Sequence, residues 1–209
     1  KCDMILVSDT SMLSADTPSI TTGLRGLAYW QIEVTSASRD LHSGIFGGAV
    51  ANPIMELSKI LAQLTNADGQ ITIPHFYDDV EEVSDYERSL IAQIPFDEEE
   101  YKHNLNISQV YGEKGYSTIE RTGIRPALDI CGIWGGYTGE GSKTVLPSKA
   151  FAKLSARLVP HQQYEKIAKL VAEHLTAIAP KHIDIKVSTL HGAESYVCPI
   201  DSDAYKAAE

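Results

Sequence analysis

Two stretches of this chain alternate apolar and polar residues strictly enough to fix what they become. In LAYWQIEVT, residues 27–35, Ala28, Trp30, Ile32 and Val34 share one face and Tyr29, Gln31, Glu33 and Thr35 the other. In AFAKLSARL, residues 150–158, Ala152, Leu154, Ala156 and Leu158 oppose Lys153, Ser155 and Arg157. A period of two sends one set into a core and the other towards solvent, so both are strands with one buried face. The second is expected to run through the whole of TVLPSKAFAKLSARLVP, residues 144–160.

A helix follows each strand. Asn52 is a good N-cap and Pro53 a good first helical residue, and Ile54, Leu57, Ile60, Leu61 and Leu64 form an apolar stripe that ends near Thr65 and Asn66. Later, HQQYEKIAKLVAEHLTAIA aligns Tyr164, Ile167, Val171, Leu175 and Ile178 on one helical face. Two further strands are predicted at RPALDICGIWGGY, residues 125–137, and at HIDIKVSTLHG, residues 182–192, where Ile183, Ile185 and Val187 point inward. The order strand, helix, strand, strand, helix, strand predicts an α+β, ferredoxin-like βαββαβ fold: a four-stranded antiparallel sheet with two helices on one face.

Residues 68–123 interrupt this order as an insertion after the first helix, with a turn at Asp68-Gly69, a short strand at Ile71-Thr72-Ile73 and an acidic stretch with helical character. Glu98, Glu99 and Glu100 within it invite a metal reading, but consecutive residues on a helix point in different directions, so a solvated surface is expected. Before the first alternating strand, the apolar run Met4–Val7 ends in Ser8-Asp9-Thr10, the pattern of a buried strand that delivers a carboxylate at its end. Residues 11–26, rich in Ser, Thr, Pro and Gly, are a connector to a separate body. The expected division is residues 1–16 as an edge of another domain with its connector, 17–195 as the domain proper, and 196–209 returning to the other domain.

Composition removes several function classes. The formal net charge is -10 and no segment clusters Lys and Arg, which argues against a nucleic-acid partner. No run approaches the roughly 18 apolar residues of a membrane span. The three cysteines, Cys2, Cys131 and Cys198, are odd in number and far apart, so neither a disulfide framework nor a CxxC metal site is expected, and a reducing, cytoplasmic location fits. The stretch GGYTGEGSKT, residues 135–144, nearly spells a phosphate loop, but Ser142 separates Gly141 from Lys143 and a strand pattern follows where a helix is needed.

Three residues are left with chemistry to offer. His42 in RDLHSGIFGGAVANP is flanked by glycines that let backbone pass close by; it is either a loop histidine bonded to its own backbone or a donor to a developing oxyanion. Arg157 is a surface charge or a rigid clamp for a carboxylate. Asp9 is a turn residue or a metal ligand.

Taken together, VSDT, TTGLRG, RDLHSGIFGGAVANP, GSKTVLP and SARLVPHQ, in this order, resemble the dinuclear-zinc peptidases related to carnosine dipeptidase, aminoacylase and succinyl-diaminopimelate desuccinylase, most closely the dipeptidase branch. The resemblance spans Asp9 to about His191. It implies the lid, or dimerisation, domain of a peptidase, with segments near Ser11–Gly26 and Cys198 acting as a hinge pair to the protein's own catalytic domain. It implies that Asp9 ligates zinc and that His42 reaches the partner subunit's active site to stabilise the oxyanion. It implies further that Arg157 holds the substrate's terminal carboxylate, that Thr144 is a substrate contact, and that His191 is a further substrate-side histidine. It implies two zinc ions per active site in a full-length parent; none is expected in this chain alone, which is also expected to be inactive alone. The implied partners are a peptide or dipeptide substrate and a second copy, joined through the first helix or an edge strand. N-acyl amino acid amidohydrolase, carboxypeptidase and stand-alone dimerising module are the alternative readings.

Overall fold

The computed structural model describes residues 19–199 and 201–208, so Asp9 and the expected strand before it lie outside the described residues. In chain order the elements are β1 (Gly23–Leu24), β2 (Gly26–Thr35), β3 (Leu41–His42), the single turn α1 (Ser43–Phe46), α2 (Pro53–Leu61), α3 (Asp85–Ile91), α4 (Glu98–Leu105), α5 (Thr118–Gly123), β4 (Ala127–Gly135), β5 (Val145–Leu146), β6 (Lys149–Leu158), α6 (Tyr164–Ile178), β7 (Asp184–Ala193), β8 (Tyr196–Val197) and α7 (Asp203–Ala208). The main sheet runs β4-β6-β2-β7, antiparallel at every join, which is the expected ferredoxin-like arrangement.

Its centre is the β2–β6 pair, matched residue for residue from Gly26↔Leu158 to Thr35↔Lys149. Because the two alternations are in phase, Ala28, Trp30, Ile32 and Val34 face the same side as Ala156, Leu154, Ala152 and Ala150, and none is more than 1% exposed. Helix α2 packs on β6 and β2, and α6 on β7 and β2. The Asn52 side chain accepts hydrogen bonds from the backbone N–H groups of Ile54 and Met55, at 2.9 and 3.4 Å, and so starts α2 where the sequence places it. Trp30 donates its indole N–H to the carbonyl of Ala168, 3.3 Å away, so the bulkiest core side chain also ties β2 to α6 without an orphaned donor.

Three expectations are corrected. The strand expected over residues 144–160 is two: β5 turns away to pair with β3, Leu41↔Leu146 and His42↔Val145, and β6 begins after Pro147, which has no N–H to give a ladder. Ile71-Thr72-Ile73 forms only a single bridge, Thr65↔Ile71, and Ile71, Ile73 and Phe76 are buried in the main core. Apolar side chains there fill the space beside the helices without needing a sheet partner. The helical part of the acidic stretch is confined to α3, opened by a capping box between Ser84 and Glu87. Glu98, Glu99 and Glu100 lie exposed in the first turn of α4, as expected, with Asp97 as its cap.

The insertion is fastened by a buried ion pair. Arg125 donates from Nε and Nη2 to the two carboxylate oxygens of Glu113, at 2.8 and 2.9 Å, and its guanidinium lies 4.2 Å from the Tyr116 ring centre and 5.4 Å from that of Tyr77. The two-point contact pairs the opposite charges, and breaking one partner leaves the other buried and uncompensated.

At the other end of the sheet the loops that carry His42 and Thr144 are joined. The Asp40 carboxylate accepts from the N–H and hydroxyl of Ser148, at 2.8 and 2.9 Å, and the Ser43 N–H donates to the Thr144 carbonyl at 3.1 Å. The Ser148 N–H, and then its hydroxyl, hold the Asp40 carboxyl below the usual carboxylate range.

Leu154→Ala, at a position with no exposure, should lower stability by about 3 kcal/mol in urea unfolding, while Lys153→Ala, on the open face of the same strand, should change it by less than ~0.5 kcal/mol. For Asp40 a depressed folded-state pKa means that the bond to Ser148 is intact above the ordinary 3.8 and is lost as pH falls through the lower folded value. The Ser148 amide resonance should therefore titrate with a midpoint below 3.8; a midpoint above it contradicts the contact.

Candidate functional site

The β3–β5 pairing places two side chains separated by 102 positions against each other: His42 Nε2 lies 3.2 Å from Thr144 Oγ1. Both residues are exposed. His42 caps α1 in an extended conformation, φ -78° and ψ 116°, and its Nδ1 accepts the backbone N–H of Gly44 at 3.1 Å. The two readings of His42 left open by the sequence are therefore combined in one ring. One nitrogen is tied to its own backbone, and the other faces a hydroxyl and solvent.

Arg157 and His191 sit on the sheet face opposite the helices. Arg157 pairs with Leu27 on one side and Ala127 on the other, and makes no salt bridge or side-chain hydrogen bond with another described residue. His191 reaches this face through a bulge. Gln31 pairs with Ser188 and Trp30 with Thr189, but Tyr29 pairs with His191, so Leu190 is skipped. Strict alternation from Val187 would turn His191 towards the core; the extra residue turns it outward. Its ring then stacks on Tyr29, with centroids 4.6 Å apart and planes at 22°.

Arg25 adds a second cation beside Arg157. Its Nη1 donates to the carbonyls of Arg121 and Arg125, at 3.3 and 3.1 Å. Burial lowers its pKa, the nearby Arg157 charge lowers it further, and Asp129 opposes both. Arg25 is thus fixed on backbone oxygens, while the Arg157 side chain makes no such contact with another described residue.

The four residues form two pairs. Ser148 anchors the His42 loop beside Lys149, where β6 begins, and Arg157 lies eight residues further along the same strand. At ~3.3 Å per residue the two positions are about 26 Å apart, more than one small substrate spans. His191 and Arg157, in contrast, are only two strands and two residues apart, about 12 Å. Within one chain, then, His42 and Thr144 are together and Arg157 is with His191.

Among the described residues no group of three or more His, Cys, Asp and Glu side chains is placed to hold a metal ion. The described residues supply hydrogen-bond donors and a guanidinium, and no set of metal ligands. Sequence reasoning missed Tyr29, Arg25, Asp40 and Gly44. Asp40 was within reach, since it lies two residues before His42 on a segment bounded by turn residues; the Arg25 and Tyr29 contacts depend on register and a bulge that no local pattern encodes.

Residues 22–183 match the peptidase dimerisation domain, M20_dimer. The chain is 36% identical over 178 residues to the Cys-Gly metallodipeptidase dug1 of Schizosaccharomyces pombe, covering 85% of this chain and 37% of that protein. It is 32% identical over 210 residues to human Beta-Ala-His dipeptidase, covering 99% of this chain and 41% of that protein. The solved structure of the di-peptidase Dug1p from Saccharomyces cerevisiae superposes with a TM-score of 0.83 at 32% identity, over 96% of this chain and 43% of that one. The chain spans about two fifths of the length of these relatives. With its ferredoxin-like sheet and the match over residues 22–183, the chain belongs to the M20 peptidase dimerisation-domain family.

Proposed function

We propose that this chain works as the lid and dimerisation part of a zinc-dependent metallodipeptidase, and that it serves two active sites at once. The observation that carries this reading is the separation of the two pairs along one rigid sheet. Arg157 and His191 act at the active site of their own subunit, and His42 and Thr144 act at that of a second copy. The zinc ions, with Asp9 as one ligand, are held by parts of the parent protein outside the described residues.

Each side chain has a task suited to its chemistry. The Arg157 guanidinium, with no competing ion pair among the described residues, takes the terminal carboxylate of a dipeptide in a two-point contact. His191, braced by Tyr29, lines the same side of the substrate. His42 and Thr144 donate to the peptide oxygen as it gains charge, and they do so from a fixed frame that needs no rearrangement at that moment. A hinge at the short β1–β8 ladder, Gly23↔Val197 and Leu24↔Tyr196, would swing the lid over its own catalytic domain, because it holds the two connecting segments side by side.

The second copy is expected along β4. Helices α2 and α6 cover β6, β2 and β7, and leave Ile130 and Ile133 of the edge strand 49% exposed, with Met55 of α2 58% exposed. An uncapped apolar edge is a template for pairing with a further strand, and a symmetric contact would join two sheets into one.

Complementation tests the two-site reading in the full-length enzyme. His42→Ala should lower kcat by roughly 10² or more with metal content unchanged, and Arg157→Met should raise KM for free dipeptides. Dimers mixed from the two impaired variants by co-expression, assayed at dipeptide concentrations well below the raised KM, should regain activity, because one of their two sites carries both native residues. About a quarter of the wild-type activity is expected from random mixing; no recovery would place all four residues at one site. Ile133→Glu should convert the dimer to monomer in light scattering, without loss of the fold by circular dichroism.

A further inference from the structure

We infer that Gly44 is a positioning residue: its backbone N–H holds the His42 imidazole as the Nε2–H tautomer and so sets the proton order of the whole His42–Thr144 pair. The consequence for turnover rests on the role proposed above for His42; the proton order itself does not.

A neutral imidazole carries one N–H and one lone pair, on different nitrogens. The Gly44 N–H can only donate, and it lies 3.1 Å from Nδ1, so Nδ1 is the acceptor and the ring proton is on Nε2. Nε2 is 3.2 Å from Thr144 Oγ1, and with a proton on the nitrogen the hydroxyl oxygen must accept. A hydroxyl that accepts through a lone pair keeps its own proton free. The pair then offers an outward Thr144 O–H, and an Nε2–H that can leave Thr144 for a stronger acceptor. The opposite tautomer would turn a lone pair from Nε2 towards the site, consume the Thr144 proton, and repel a developing oxyanion.

Glycine at 44 leaves the ring room to sit on its donor. A Cβ there would stand 3.0 Å from His42 Cε1 and 3.2 Å from Nδ1, inside ordinary van der Waals contact, and the atoms it meets belong to the ring being positioned. A side chain there asks the imidazole to shift by a few tenths of an ångström, and so loosens its contact with the Gly44 N–H. Thr144 is held from the other side by the Ser43 N–H on its carbonyl, 3.1 Å, so a displaced ring does not carry Thr144 with it.

The test is a long-range ¹H–¹⁵N correlation spectrum of the histidine-labelled chain at about pH 9, where imidazoles are neutral, with the His42 signal assigned by its absence in His42→Ala. The expected result is the Nε2–H pattern in the wild type and in Thr144→Val, where the Gly44 N–H remains, and a shift to a mixture of tautomers in Gly44→Ala. An Nδ1–H pattern in the wild type overturns the inference and needs no variant to do so; an unchanged Nε2–H pattern in Gly44→Ala overturns the part assigned to Gly44. In the full-length enzyme Gly44→Ala should lower kcat roughly tenfold or more, with KM little changed. If the tautomer is as inferred while His42→Ala turns over normally, the catalytic role of His42 fails and the proton order stands.

Discussion

The ten-residue pairing of β2 with β6 is the constraint on which the other parts depend. Its register brings two alternating sequences into phase, and a slip of one residue would turn Leu154 and Trp30 towards opposite faces. Both helices pack on the face it creates, and both outer strands are templated on its two edges. It is also long. A ladder of this length holds its ends a fixed distance apart, and the residues with chemistry to offer are at those ends: Arg157 beside Leu27, and Ser148, the anchor of the His42 loop, just before Lys149.

Local pattern was sufficient wherever a single element decided the outcome. Trp30 and Leu154 are buried because of alternation, α2 begins at Asn52 because of its cap, and Val171 and Leu175 face the sheet because of a 3.6-residue stripe. Pattern failed where the outcome depended on a partner distant in the chain. The break at Pro147 exists because β3 offers β5 another ladder, and His191 faces outward only because Leu190 is bulged against β2. The insertion was opaque for a related reason. Its organising contact joins Glu113 to Arg125 between two tyrosine rings, and a buried ion pair has no periodic signature.

The candidate site divides in the same way. His42, Thr144, Arg157 and His191 could each be picked out by the company they keep in sequence, but their grouping could not, since it follows from strand register and from one hairpin-like contact across 102 positions. Nor could the frame around them be seen. Asp40 is unremarkable as a letter two residues before a histidine; as the acceptor of two Ser148 bonds it fixes the distance between the His42 and Thr144 loops.

The glycines near His42 have a narrower purpose than general mobility. Gly44 lies close enough to its neighbour's ring to direct a proton, which makes that part of the loop restrictive rather than slack. Rigidity of this kind suits a lid. A donor aimed at an oxyanion stabilises it only to the extent that no reorganisation is needed when charge develops. If the histidine acts on a second copy, its aim is set by two things that must agree: the internal bonds from Asp40, Ser43 and Gly44, and the contact between subunits along β4. The first set lies wholly within this chain, so the loop's shape needs nothing from a second copy, and the proposed association has only to place it.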